Sequence, residues 1–219
     1  MLKEFEKRLL SSIILIPATF LIILEGEIFF YIFLSLAFLI SSHEWFKMIK
    51  RYDLKILGIL FLLFSFYSAF YFRSQNLEGF LLIILICVST DIGGYLFGKL
   101  FKGPKLTKIS PKKTQSGMMG SYILAIVAST IFIQQYTNEI SIDKNIITSD
   151  FKFFIIVLLI SSVSQGGDLI ISVFKRLSKI KNTGQIIPGH GGLLDRIDGM
   201  IFVFPFVYLI TSISIILQL

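Results

Sequence analysis

Cysteine is nearly absent. Cys87 is the only one in 219 residues and sits inside an apolar run, so no intramolecular disulfide can form and a cysteine-rich metal site is excluded. Charge is scarce too: 16% of the residues are Asp, Glu, Lys or Arg against 54% hydrophobic ones, which is too apolar for a soluble domain of this size. The apolar residues come in long runs that lack two-residue alternation, favouring a helical bundle over an outer-membrane barrel. No small-residue cleavage site follows the basic, then apolar N-terminus MLKEFEKRLLSSIILIPATF, so this segment is expected to stay as a first helix. Internal repeats, low-complexity tracts and long linkers are lacking, and no separate soluble domain fits between the apolar runs. The net charge of +7 could suit nucleic acid, but the cations lie beside hydrophobic spans without a soluble recognition module. No nucleic-acid partner is expected; anionic lipid head groups and nucleotide phosphates fit better.

What remains is a series of apolar segments: Leu9 to Leu24, Ile28 to Ser42, Ile56 to Phe72, Phe80 to Phe97, Met118 to Tyr136, Phe153 to Phe174 and Met200 to Leu219. They predict an all-α, polytopic transmembrane helix bundle of about seven spans, with a margin of one or two, forming a single integral membrane domain over residues 1–219. The first two segments are short for a core of about 30 Å. Glu25-Gly26-Glu27 between them suits a tight turn, and Pro17 is expected to kink the first. Assigning the loops to alternating sides puts eighteen of the 21 Lys and Arg on one side, leaving Arg73, Lys144 and Lys152 opposite. That asymmetry places the N-terminus in the cytoplasm, together with the two loops richest in chemistry, 90–117 and 164–200. In a bacterium the membrane would be the cytoplasmic, inner one. The polar stretch from Gln135 to Asp150 would lie outside.

The stretch Ser172 to Asp198, SVFKRLSKIKNTGQIIPGHGGLLDRID, carries most of the polar chemistry. Gly189, Gly191 and Gly192 leave backbone N–H groups able to approach a phosphate closely, with His190, Arg196, Lys175 and Arg176 as further donors. A helix beginning near Leu193 would set Asp195 and Asp198 three residues apart on one face, suited to hard oxygen ligation of a divalent cation. Cations, glycines and paired acids together suggest metal-assisted phosphate chemistry; a solvated cytoplasmic loop is the plainer reading of any one of them. This stretch closely resembles the signature of the phosphatidate cytidylyltransferase family, the CDP-diacylglycerol synthases. The matching residues are Ser172, Lys175-Arg176, Lys181, Pro188 to Gly192, Asp195, Arg196 and Asp198.

Two further stretches bear on function. TDIGGYLFGKLFKGPKLTKISPKKTQSG, Thr90 to Gly117, has Asp91 inside an apolar run, where an ionisable residue costs roughly 2.5–3.5 kcal/mol and usually faces a partner or a wet cavity. Gly93, Gly94 and Gly98 would admit a neighbouring helix or a ligand. The plainer reading of the lysines near Ser110 to Thr114 is membrane-surface anchoring. In SQGGDLIISVFKR, helical spacing puts Asp168, Ser172, Lys175 and Arg176 on one face, a substrate path or a structural ion pair of Asp168 with Lys175 or Arg176. These stretches also resemble the same family, through Asp91-x-Gly93-x-Tyr95, Gly98, Ser110-Pro111-Lys112-Lys113-Thr114, Gln165-x-Gly167-Asp168-Leu169 and Ser172. The chain departs from its pattern at Gln115, Ser116, Ile171 and Asn182. His43-Glu44-Trp45 is given no catalytic role, with Trp45 read as an interfacial anchor.

The resemblance implies condensation of CTP with phosphatidate to give CDP-diacylglycerol and pyrophosphate, with Mg²⁺ as cofactor. It assigns catalysis to Asp168, Lys175, Arg176, Asp195, Arg196 and Asp198, with Asp168, Asp195 and Asp198 also as metal ligands. Asp91, Ser110, Lys112, Lys113, Thr114, Ser172, Lys181, Gly189, His190, Gly191 and Gly192 would bind substrate. A homodimer is left open. The alternatives are a CTP-dependent polyprenol or phytol kinase and, in a different class, an ion-coupled transporter.

Overall fold

A computed structural model describes residues 2–107, 110–140, 151–187, 189 and 191–216. The elements are α1 (Leu2–Glu25), α2 (Glu27–Met48), α3 (Tyr52–Gln75), α4 (Leu77–Phe101), α5 (Gln115–Ile140), α6 (Phe151–Leu177), the single-turn α7 (Leu194–Ile197) and α8 (Met200–Ile216). Among the described residues the only β pairing is two isolated bridges, Lys105 with Thr114 and Ile187 with Gly191. The all-α architecture expected from the uninterrupted apolar runs is thus the observed one. Among the described residues five helices, α2 to α6, are long and apolar enough to cross a membrane, while Ile13–Glu25 and Met200–Ser212 are shorter apolar stretches. The protein is a multi-pass membrane protein. The expected turn between the first two segments is present: Gly26 alone separates α1 from α2, at φ 69°, a conformation glycine adopts without strain.

The chain forms two compact units, Met1–Phe70 with Val173–Asp198, and Tyr71–Ser172 with Gly199–Leu219. In the first, α3 illustrates how apolar helices pack without a hydrophobic drive from water. Ile56, Leu57, Leu60 and Leu63 point outward, as lipid-facing side chains do, while Gly58, Ser65, Ser68 and Ala69 are buried with Leu62. The two serines donate back to Phe61 O and Phe64 O at 2.8 Å, so their hydroxyls are satisfied within the helix. Trp45 is the pivot of this unit. Its indole occupies the space a Cβ at Gly58 would need, its Nε1 donates to Leu54 O at 3.2 Å, and its ring meets Phe174 edge-on at 4.9 Å. At 6% exposure it is a core residue, which corrects its reading as an interfacial anchor.

In the second unit α4 packs closely on α5, because a Cβ at Gly93 would collide with Gly120 O. The glycines that could have admitted a ligand here admit a helix. Polar groups tie the pair onward: Ser121 Oγ donates to Thr90 O at 2.7 Å and Thr90 Oγ1 to Ser161 Oγ at 2.8 Å. Phe80 stacks on Phe204 at 5.2 Å, fastening α8 to α4.

Candidate active site

In the first unit the polar segment after α6 is organised by two carboxylates. Asp195, on α7, accepts hydrogen bonds at Oδ2 from Thr183 N at 2.8 Å and Gly192 N at 3.2 Å, which closes the 183–195 segment on itself. Its Oδ1 lies 2.8 Å from Lys175 Nζ, and Asp198 Oδ2 lies 3.8 Å from the same nitrogen. Lys175, Asp195 and Asp198 are side chains with little solvent access, so both acids converge on one buried positive charge. Asp195 and Asp198, expected to face a divalent cation, are both directed to the Lys175 ammonium. Among the described residues no group of three His, Cys, Asp or Glu side chains could by itself hold a metal.

The glycines serve this closure first. Gly191, at φ 94°, holds a conformation that side chains rarely adopt, and its N–H donates to Ile187 O at 3.2 Å. A Cβ at Gly192 would collide with Thr183 Oγ1 and Glu44 Oε2. Gly189 is an exposed turn residue at φ 76°. Pro188 and His190 lie outside the described residues. Arg176 Nη1 donates to Ile180 O at 3.4 Å, and Arg176, Lys181 and Arg196 are exposed.

The second carboxylate is Glu44, to which sequence reasoning gave no role. It is 2% exposed, and Oε1 accepts from Leu193 N at 3.0 Å while Oε2 accepts from Leu194 N at 2.9 Å and Thr183 Oγ1 at 2.8 Å. A residue of α2 thus holds the first backbone donors of α7, whose N-terminal N–H groups no preceding turn can satisfy. Its signal in the sequence was an acid embedded between Ser41-Ser42 and Trp45 at the end of an apolar helix, where an ionisable group calls for a partner.

The second unit holds the remaining candidates. Lys113 Nζ lies 2.6 Å from Asp168 Oδ2, Ser172 Oγ donates to Asp168 Oδ1 at 3.2 Å, and Lys113 Nζ reaches Gln165 O at 3.5 Å. The ion pair considered for Asp168 with Lys175 or Arg176 gives way to one with Lys113. Seven or eight residues along a helix is about 10–12 Å of rise, too far for a direct pair. The segment before α5 is closed by Leu106 N to Lys113 O at 2.8 Å and Gln115 N to Pro104 O at 3.0 Å. Ser110 O accepts from Lys113 N at 3.0 Å, and Thr114 Oγ1 accepts from Gly117 N at 3.1 Å in the first turn of α5. Lys112 and Asp91 are at exposed positions, Asp91 on α4.

The model of the cytidylyltransferase family matches residues 54–214. The phosphatidate cytidylyltransferase of Rickettsia bellii (strain RML369-C) is 32% identical over 210 residues, covering 94% of this chain and 90% of that protein. That of Rickettsia felis is 32% identical over 212 residues, covering 93% and 91%, and that of Bacillus subtilis (strain 168) 37% identical over 150 residues, covering 66% and 53%. The matched span takes in Lys113, Asp168, Lys175, Asp195 and Asp198, the side chains paired above, and on that extent of similarity the chain belongs to the cytidylyltransferase family.

Proposed function

We propose that this protein condenses CTP with phosphatidate to give CDP-diacylglycerol and pyrophosphate. The observation that carries the reading is the buried Asp195–Lys175–Asp198 cluster, built on the segment that the family signature covers. The reaction asks little covalent work of a protein. A phosphatidate oxygen attacks the α-phosphorus of CTP, the new O–P bond forms, and the bond to the bridging oxygen breaks so that pyrophosphate leaves with the electron pair. What the chain must supply is alignment and neutralisation of crowded negative charge. Lys175, Arg176 and Arg196 are suited to the second task, and the closed 183–195 segment to the first.

Mg²⁺ is the cofactor we infer. Asp195 and Asp198 are hard oxygen donors already directed at a single positive charge, and Mg²⁺ usually takes one or two carboxylates, its other positions going to water and substrate phosphates. When bound it would add charge neutralisation and polarise a phosphoryl oxygen. Lys175 then holds both acids oriented. The Lys and Arg asymmetry supports a site facing the cytoplasm, where CTP is dissolved, and bacterial relatives support an inner membrane.

Purified protein given phosphatidate, CTP and Mg²⁺ should form CDP-diacylglycerol and pyrophosphate in equal amounts. A phosphorylated polyprenol with CDP would mark a kinase instead. Coupled solute flux without nucleotide turnover would mark a transporter, and either result would overturn the proposal.

A further inference from the structure

The first unit contains a cleft of about 560 Å³, one wall of which, at the end of α2, lies outside the signature stretch and is not used in the mechanism above. One wall is the end of α2 and the turn after it, with Lys47 and Lys50; the other is Ser178, Asn182, Thr183 and Gln185, from the segment following α6. Glu44 explains why these walls face each other. One turn before Met48 on the same helix, its carboxylate grips Thr183, Leu193 and Leu194, and this clasp holds the end of α2 beside the 182–185 segment. The lysines are thereby presented across a gap from amide and hydroxyl groups. None of the described residues lining the cleft is acidic, so Lys47 and Lys50 give its lining a net positive charge.

The cleft also adjoins the reacting cluster. A Cβ added at Gly191 would lie 3.2 Å from Asp195 Oδ2 and 3.5 Å from Asn182 Cβ, so Asn182 stands where the cleft wall meets Asp195. A volume in the usual range for small-molecule sites, about 300–1,000 Å³, is larger than one phosphate needs and suits a nucleotide. Two lysines three residues apart match a chain of phosphates better than a single head-group phosphate. We propose that this cleft receives the triphosphate of CTP, with Lys47 and Lys50 holding the β- and γ-phosphates that depart as pyrophosphate. The inference rests on the proposed CTP-dependent reaction and adds to it Lys47 of α2 and Lys50 of the turn after it, which precede the matched family span.

The same phosphate chemistry could come from an anionic lipid head group, so the test separates the two sources. Lys47→Ala, Lys50→Ala and the double variant are compared with the unmodified protein and with Arg51→Ala, which removes a neighbouring surface cation paired with Asp53 outside the cleft. Both lysines are exposed, so the variants should purify as monodisperse species. In vesicles of zwitterionic lipid, each single variant should weaken pyrophosphate binding and raise the CTP KM by about tenfold, the double variant by more, with the phosphatidate KM and Arg51→Ala unchanged. Unaltered pyrophosphate affinity and CTP KM in the double variant would overturn the proposal. So would a defect that appears only as an altered dependence on the anionic-lipid fraction, since that assigns the lysines to head groups. Pyrophosphate binding that is lost in the double variant, from a protein that makes no CDP-diacylglycerol, would uphold the cleft and refute the reaction. Normal CTP use by the double variant, with CDP-diacylglycerol formed, would do the reverse.

Discussion

Glu44→Gln isolates what one buried carboxylate contributes to the candidate site. All three of its partners, Leu193 N, Leu194 N and Thr183 Oγ1, are donating to it, and an amide has only one oxygen to offer them. With that oxygen in the Oε2 position, the new NH₂ confronts the Leu193 N–H; with it in the Oε1 position, it confronts the Leu194 N–H. The Thr183 hydroxyl can rotate to suit either arrangement, but one backbone donor always loses its acceptor. An orphaned donor costs about 1–3 kcal/mol, and the surviving bonds lose their charge assistance. A local loss of about 2 kcal/mol corresponds to about thirtyfold less hydrogen-exchange protection. Exchange measured on peptides covering 182–195 should therefore quicken about thirtyfold in Glu44→Gln, while peptides from α4 and α5 in the other unit stay unchanged. Glu44→Ala removes all three acceptor contacts and leaves a cavity, for a loss of about 4 kcal/mol or more. Turnover should fall in the same order, because Asp195 rides on the helix that Glu44 holds. Unchanged exchange over 182–195 in Glu44→Gln would refute the reasoning, whatever happens to activity.

The other expectations can be tested alongside. Gly192→Ala forces a methyl group against Thr183 Oγ1 and Glu44 Oε2, so activity should drop at least about tenfold and stability by about 1–3 kcal/mol, read by turnover and thermal melting in detergent. Lys113→Met should lower melting stability by no more than about 1 kcal/mol, because the pair with Asp168 is a quarter or more exposed on each side. Asp168→Asn should nonetheless cost about a hundredfold in turnover, and near-native kinetics would remove Asp168 from the reaction. Asn182→Ala should leave the half-saturating Mg²⁺ concentration within about threefold, since an amide oxygen is a weaker cation ligand than a carboxylate, and a tenfold rise would place this position in the metal site. With Cys87 replaced, cysteine probes at Lys113 and Gly189 should label from the cytoplasmic side only, and labelling from outside intact cells would invert the orientation.

What was legible in the sequence was whatever depends on spacing along one element. Asp195 and Asp198 are three residues apart, and a single helical turn is enough to aim both at Lys175. The helices themselves followed from unbroken apolar runs, although α2 continues through His43-Glu44-Trp45 to Met48, since no glycine or proline intervenes. What could not be read was pairing between distant segments. Glu44 meets Thr183 across 139 residues, and no local periodicity announces that contact. Trp45 looked like a surface anchor because aromatic residues at a helix end usually are. The slot that buries it exists only because Gly58 lacks a side chain where α3 crosses it. Asp168 was placed on a helical face with Lys175, but sharing a face does not make two residues neighbours when they are two turns apart.

The family resemblance implies an acid at Ser116, Ile171 and Asn182, and the last two departures have different physical meanings. Ile171 is 2% exposed within α6, so a glutamate there would carry the desolvation cost of a buried charge. Asn182 is exposed and lines the cleft beside Asp195. A neutral amide at that point leaves the cleft with the positive charge of Lys47 and Lys50 undiminished, whereas an aspartate would set a carboxylate against an arriving triphosphate unless a bound cation offset it. The departure at Ile171 therefore belongs to the burial of the membrane-spanning helix, and that at Asn182 to the electrostatics of nucleotide entry. A chain whose acids at Asp195 and Asp198 are both directed at Lys175 keeps, through both departures, the pair of oxygens proposed above for its chemistry.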